Sequence, residues 1–518
     1  MSATTTSTRT SNGFDGAEKL PCMNPATGAL IREIPIATAA EIEAMAARAR
    51  EAFPSWSGLS VERRGELLLR ARDGLVDRRE EVLDLLVQET GKARMDALAD
   101  LLVLGETISY YTSHGPGLLA DKTVSARLLK NKRIKVQHMP RGLVVNISPW
   151  NYPLDLAWSP LIPALLAGNV VINKPSEVTP LISLKFLDIL REAGLPEAVA
   201  QVAVGFGDVG AALIDRADYV AFTGSVATGR KVAVRCAERL VPNTLELGGK
   251  DPAIVLEDAN LERAASGVVY GAFFNSGQTC TSIERVYVVE EVYEDFVDRV
   301  IRLTRTLRQG VDAGFTVEVG AMIFPRQLEI VEQHLKDAVA KGAQVRTGGR
   351  RNPDFPSGYF FEPTVLTEVD HTMDVMVEET FGPILPIMKV RDAAEALEHA
   401  NASDYGLNSS VWTGDKDRGR AIARRLEAGN VCINDCLINY TAIEAPFGGV
   451  KNSGIGRRKG EAELLKYCHA KTVLEDIFGA SREPTWYPYS RAVGEGAVKA
   501  IGVLYRSGLG NKLRNILG

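Results

Sequence analysis

Cysteine is scarce, with six in 518 residues: Cys22, Cys236, Cys280, Cys432, Cys436 and Cys468. That is too thin for a disulfide framework. Cys432 and Cys436, four apart, have no second Cys or His pair nearby to complete a metal site. The six histidines are scattered, so no metal is expected, and a reducing compartment fits the free thiols. No apolar run approaches the roughly 20 residues that cross a bilayer. The start, MSATTTSTRTSNG, lacks the apolar centre of a secretory signal. Residues 1–19 read as a disordered tail and the protein as cytoplasmic. Positive charge is not in excess either. Net charge is −5 and no basic stretch is interleaved with aromatics, which argues against nucleic acid as a main partner.

What is present is ordinary for a globular chain, with 45% hydrophobic and 24% charged residues. The length implies two or three domains. From Ala40 to about Lys92 apolar residues recur three and four apart, as in helices. NKRIKVQHMPRG then reads as strand and turn. LVVNI, VVINK, AVAQVAV and YVAF alternate with the helical stretches LAWSPLIPALLAG and SLKFLDILREAG. A second cycle runs through PAIVL, a helix continuing to Asn275, RVYVV and VYEDFVDRVIRL, and closes on NVCIN and PFGGVKNSGIG. Strand and helix in alternation predict an α/β protein with two parallel-sheet, Rossmann-like domains.

Several short motifs stand at the ends of these strands. GFGDVG (Gly205–Gly210) matches a dinucleotide fingerprint, but the next strand closes in TGS rather than in an acidic residue for a ribose. A plain strand-to-helix turn explains it as well. In FTGSVATG a strand runs into Gly224 and Ser225, with Gly229 inside the helix start. Free N–H groups and the helix dipole suit a pyrophosphate there, and an ordinary turn is the equal alternative. Lys174 and Glu177 of NKPSE are placed to hold two ribose hydroxyls, or to form a solvated salt bridge. Asn151 of SPWNYP offers a neutral amide to an oxyanion. Glu246 of ELGGK is a general base if burial raises its pKa. Cys280 lies in GAFFNSGQTCTSIERVYV among small polar residues, unlike a core cysteine. Each motif alone is more often structural than catalytic.

Their order is the specific signal. SPWNYP, KPSE, FTGSVATG, ELGGK, FNSGQTC, EETFGP and PFGGVKNSG follow one another over about three hundred residues. This resembles the aldehyde dehydrogenase superfamily from Cys22 to Val473. The resemblance implies that Cys280 attacks an aldehyde carbon, that Asn151 and the Cys280 N–H hold the oxyanion, and that Glu246 activates the water that hydrolyses the thioester. Acylating members that use CoA typically lack this glutamate, so water is the expected acceptor. The cofactor residues implied are Trp150, Lys174, Glu177, Gly207, Gly224, Ser225, Gly229, Leu247, Glu379 and Phe381. Glu177 repels a 2′-phosphate, which favours NAD, with NADP as the alternative. Many members have a glutamate after SG-x-G-R where this chain has Arg458, and that puts the proton route from Glu246 in doubt.

The resemblance also implies domain boundaries. They are a dinucleotide-binding domain at 20–130 and 143–250, a catalytic domain at 251–450, an oligomerisation element at 131–142 and 451–475, and a C-terminal extension at 476–518. A homodimer or homotetramer is expected. The substrate tunnel would be lined by Tyr152, Asp155, Leu156 and Ser159. Several succinate-semialdehyde enzymes of the family carry an arginine in place of Ser159, and Asp155 would repel a substrate carboxylate. A medium- or long-chain apolar aldehyde is therefore expected, with succinate semialdehyde as the alternative and a non-catalytic binding relative behind both. Trp158 either joins the tunnel or packs in the core. In the extension, Val498, Ile501, Tyr505, Leu509, Leu513 and Ile516 fall three or four apart beside Lys499, Arg506, Lys512 and Arg514. This is the pattern of an amphipathic helix at a membrane surface. Its glycines slightly favour the alternative, a helix docked on protein.

Overall fold

The computed structural model describes residues 19–312, 314–483 and 485–507. Helices begin where local chemistry satisfies their first N–H groups. At α1 (Ala39–Ser57) the Thr38 hydroxyl accepts from the Glu41 N–H at 3.2 Å and the Glu41 carboxylate accepts from the Thr38 N–H at 2.7 Å, a reciprocal box. Ser60 caps α2 (Val61–Asp77) through the Arg63 N–H. Then come α3 (Arg79–Thr90) and the long α4 (Arg94–Leu119). Leu68, Leu86, Leu104 and Ile108 from these helices are buried in one core with Val144 and Val171 of the first sheet.

The chain adopts the expected α/β fold, with two largely parallel sheets. Among the described residues the first sheet runs, in spatial order, Gly454–Ile455, Asn243–Glu246, Tyr219–Thr223, Leu143–Ile147, Val170–Lys174 and Ala200–Val202. Gly454–Ile455 is antiparallel and the others are parallel. The chain passes to opposite sides of Leu143–Ile147, which opens a crevice at the carboxyl ends of the strands. Register aligns Ile147 with Lys174 and with Phe222, and Thr223 with Glu246. Residues following these positions therefore share one edge. The connecting helices are α5 (Asp155–Trp158), α6 (Leu161–Leu166), α7 (Leu181–Glu192), α8 (Gly207–Ile214) and α9 (Val226–Glu238). LAWSPLIPALLAG, read above as one helical stretch, divides into α5 and α6 around Pro160, which has no N–H to carry a helix onward.

The second sheet runs Gln344–Thr347, Thr364–Thr367, Ile384–Val390, Ile283–Val289, Asp251–Val255, Ser410–Trp412 and Cys432–Ile433. Helix α10 (Leu261–Phe273) covers it with Val268 and Phe273. It stops short of Asn275 because Asn275, Ser276 and Gly277 take φ of 52°, 56° and 72°, left-handed values that end a helix.

The chain forms two compact units. One comprises Met1–Ala120 with His138–His469, the other Asp121–Gln137 with Ala470–Gly518. Residues 451–469 of the expected oligomerisation element lie in the first unit, where Gly454–Ile455 edges the first sheet. The second unit carries most of a small sheet, in the order Cys468–Asp476, Lys132–Pro140, Lys122–Val124. There Lys132 Nζ lies 2.8 Å from Asp476 Oδ1. Its helix, Arg491–Tyr505, leaves Val498, Ile501 and Tyr505 exposed. Leu509, Leu513, Ile516, Lys512 and Arg514 lie outside the described residues, as do 1–18 of the expected tail. No helix among the described residues is long and apolar enough to cross a membrane.

Candidate active site

The carboxyl ends of the first sheet and the amino ends of the second meet around Cys280. Its loop is built to be narrow. A Cβ on Gly277 would stand 2.2 Å from the Gly382 carbonyl, so only glycine fits. Asn275 donates its N–H to Asp96 Oδ2 at 2.9 Å and its side-chain amide to Gln278 O at 3.1 Å. Gln278 Oε1 accepts from the Ile323 N–H at 2.8 Å. These bonds stabilise the left-handed turn against its strain. Burial pushes the Cys280 thiol well up, the carboxyls of Asp251, Glu379 and Glu246 add to this, and Arg458 opposes it.

Asn151 reaches the same loop. Its amide donates to Gln278 O at 3.0 Å, and its carbonyl accepts from Lys92 Nζ at 2.8 Å. One Nδ2 hydrogen is committed to the protein, leaving a second. Lys92 is in turn 3.1 Å from Asp100, both side chains fully buried. Glu246 ends its strand with the carboxyl buried, and neither carboxyl oxygen has a hydrogen-bond partner among the described residues. Burial pushes this carboxyl up to about 8, opposed by Arg458 and Lys466. An unsatisfied buried carboxyl is costly, and a general base is a group that would bear such a cost.

Cys280, Asn151, Glu246, Trp150, Gly224, Ser225, Leu247, Glu379 and Phe381 share the wall of a cavity of about 250 Å³. Glu379 accepts from the Gly249 N–H at 3.0 Å, and burial, then Glu284, raises its carboxyl to about 8. A Cβ on Gly248 would meet this carboxyl at 2.3 Å. Glu284 fixes the neighbouring turn by accepting the Thr380 and Phe381 N–H groups at 2.8 Å each. Phe381 meets Trp150 edge-on at 5.3 Å.

A larger cavity of about 740 Å³ lies between α8 and α9 and takes Lys174 and Gly207 into its wall. Lys174 is 3.3 Å from Glu177. Burial lowers the lysine pKa and Glu177 opposes that. Gly229 is buried, and a Cβ there would stand 2.5 Å from the Leu247 side chain, so this glycine makes room for Leu247 and is not on the cavity wall.

A third cavity, of about 200 Å³, lies on the other side of Cys280 and is lined by Tyr152, Asp155, Leu156 and Tyr440. Ser159 is not in that wall. It is buried behind Asp155 and donates its hydroxyl to Asp155 Oδ1, because its helical position four residues on faces back along α5. Trp158 is fully buried against Phe186 and belongs to the core. Asp155 Oδ2 accepts from the Tyr440 hydroxyl at 2.7 Å. Its charge is thus partly engaged, which weakens the repulsion expected of it.

The sequence model of the aldehyde dehydrogenase family matches residues 14–473. The chain belongs to that family. A Mycobacterium ulcerans (strain Agy99) protein named "Putative succinate-semialdehyde dehydrogenase (NADP(+)) 2" is 42% identical over 449 residues, 86% of either chain. A Methylomonas protein named 4,4'-diapolycopene aldehyde oxidase is 38% identical over 475 residues, 91% of this chain and 88% of that one. Among solved structures, the NAD+ complex of an aldehyde dehydrogenase from Bacillus cereus is similar with a TM-score of 0.85 and 35% identity, over 89% of this chain and 94% of that chain. The protein is an oxidoreductase that acts on aldehydes with NAD(P).

The residues fit that cofactor. The space kept by Gly248 before the Glu379 carboxyl, and the two cavities on either side of the α9 start, form a cradle closed at one end by Cys280. Ser225 caps α9 from the cavity wall, and such a helix start favours an anion.

Sequence reasoning missed Lys92, Gln278, Tyr440 and Lys459 of this aldehyde dehydrogenase site. Lys459 Nζ sits 3.4 Å over the Tyr440 ring, buried and with no hydrogen-bond partner among the described residues. Burial lowers its pKa to about 7. Arg458 is buried too, its Nη1 3.4 Å from the Tyr440 hydroxyl and its Nε 3.5 Å from Glu463. The run GRRKG was the available signal for a cationic cluster. Nothing in the sequence marked Tyr440.

Proposed function

We propose that this enzyme oxidises medium- or long-chain apolar aldehydes to acids through Cys280, with NAD preferred. The observation that carries the reading is the place of Cys280, on the wall between the cavity holding Glu246 and the one holding Tyr152 and Leu156. The Cys280 thiol gives up its proton to water, and the resulting thiolate forms a bond to the carbonyl carbon as the carbonyl π pair moves to oxygen. The remaining Asn151 hydrogen and the Cys280 N–H stabilise that oxyanion. Trp150, Glu379 and Phe381 would hold a nicotinamide, which would supply a hydride acceptor for the former carbonyl carbon, and Cys280 would keep the acyl group as a thioester. Glu246 then takes a proton from water as the water oxygen bonds to the thioester carbon, and the C–S bond breaks to release the acid.

Glu177 beside Lys174 supports NAD, since a 2′-phosphate near its carboxylate would meet repulsion of about 1–4 kcal/mol. The second reading, a carboxylated aldehyde such as succinate semialdehyde with NADP, draws support from the name of the mycobacterial relative and from Arg458 and Lys459 behind Tyr440. Assembly as a homodimer or homotetramer, and contact of the helix Arg491–Tyr505 with membrane, complete the proposal.

The test is kcat/KM with NAD+ and NADP+ for succinate semialdehyde, benzaldehyde, alkanals and an apocarotenal. Apolar substrates are expected to lead, and Cys280→Ala to abolish turnover of all of them. A clear lead for succinate semialdehyde would establish the second reading, and turnover surviving Cys280→Ala would end both.

A further inference from the structure

We propose that a cavity beside α4 and α10 is a second substrate subsite, taking the distal end of a long, unbranched apolar aldehyde whose carbonyl lies at Cys280. This rests on the apolar-aldehyde reading above. The inner cavity on the Tyr152 side of Cys280 measures about 200 Å³, and the outer one, about 390 Å³. Tyr270 and Phe274 belong to the walls of both. The inner ring, Phe274, stacks over Tyr152 at 6.4 Å and meets Tyr270 at 5.2 Å. These rings form the partition a chain would pass.

Helix α4 supplies a second shared wall. Met95 lines the outer cavity, and Ala99 and Val103 line the inner one. Four-residue spacing keeps the three on one helix face, and eight residues of rise make that wall about 12 Å long. Val269, Leu307, Phe315 and Val317 give the outer cavity a mainly apolar wall, with the hydroxyls of Ser266 and Thr306 in it. Its two carboxylates are engaged elsewhere. Asp96 accepts from the Asn275 N–H at 2.9 Å, and Glu318 faces the Arg308 guanidinium at 3.1 Å. At the mouth Met95, Tyr270 and Phe315 are 59%, 54% and 48% exposed. Three large apolar side chains clustered at an opening mark a surface that covers itself with an apolar ligand. The wall shared with the pocket at Cys280 points to the far end of the substrate as that ligand.

The test is kcat/KM of the full-length enzyme for propanal, hexanal, decanal and hexadecanal, each below its micellar concentration. Efficiency is expected to keep rising beyond hexanal, with an upper limit of roughly fourfold per buried methylene. Met95→Glu and Phe315→Glu change half-exposed positions, the second also facing Arg94 at 5.5 Å, so the melting temperature of each variant is checked against the parent. Each is expected to lower hexadecanal efficiency roughly tenfold or more by placing a charge against the chain. Propanal, too short to reach, keeps its rate. An equal fall for both substrates, or no fall for hexadecanal, would overturn the subsite. A parent enzyme that favours alkanals but levels off at hexanal would defeat the subsite alone. One that favours succinate semialdehyde over every alkanal would defeat the underlying reading as well.

Discussion

Glu246 is a buried carboxyl to which the described residues offer no hydrogen bond. Its chain neighbour Leu247 donates its N–H to Ser453 O at 2.9 Å, and the Glu246 backbone carbonyl accepts from the Gly224 N–H at 3.0 Å. The backbone is therefore fixed while the side chain stays unsatisfied. If it serves as the base that activates water, the reactive form is the carboxylate. With the carboxyl raised to about 8, turnover should climb with pH and level off above that value. Glu246→Gln should remove this limb and lower turnover by about 10²–10⁴-fold, with a thioester accumulating on Cys280 that mass spectrometry of the quenched enzyme would detect. A pH profile unchanged by the substitution would remove Glu246 from the reaction. ELGGK made this residue a candidate by its place at a strand end. The room for its carboxyl depends on Gly448, where a Cβ would stand 2.9 Å from Oε1, two hundred residues away in sequence.

Elements in this fold borrow their caps from one another. Helix α7 has no side-chain cap of its own after Pro180. Glu89 at the end of α3 supplies one, its carboxyl accepting from the Leu181 N–H at 2.6 Å and the Ile182 N–H at 3.0 Å. Glu89→Ala would strand two buried donors at a cost of about 2–4 kcal/mol in total, read as a lower urea midpoint. Burial raises the Glu89 carboxyl to about 8, above its value in the unfolded chain. Its contribution is therefore fully present below the ordinary carboxylate range and is lost as pH rises through about 8. The gap between parent and variant should narrow over the same range, and a gap independent of pH would show that the carboxyl is not the cap. Helical periodicity located α1, α2, α3 and α7 without difficulty. It could not see the break at Pro160 as a division of one segment into two, nor the left-handed turn that ends α10 before Asn275. Both depend on single backbone positions that leave the apolar pattern intact.

At the scale of the molecule, the helix Arg491–Tyr505 is the part the family resemblance does not reach. It presents Val498, Ile501, Leu504 and Tyr505 to solvent and carries Lys499 on the same short element. Deleting Ser490–Gly518 should abolish flotation with anionic liposomes if this helix seats the enzyme on membranes, and unchanged flotation would end that idea. The sequence alone determined the family, the α/β alternation and the candidates Cys280, Glu246 and Asn151, because strand ends, small residues and motif order are local and survive in a linear reading. Only the tertiary structure decided that Ser159 turns behind Asp155, that Trp158 packs in the core, and that Tyr440 and Lys459 stand beside the Cys280 pocket. The last of these placements joins segments nearly three hundred residues apart, and the direction in which a side chain faces is set by what packs against it.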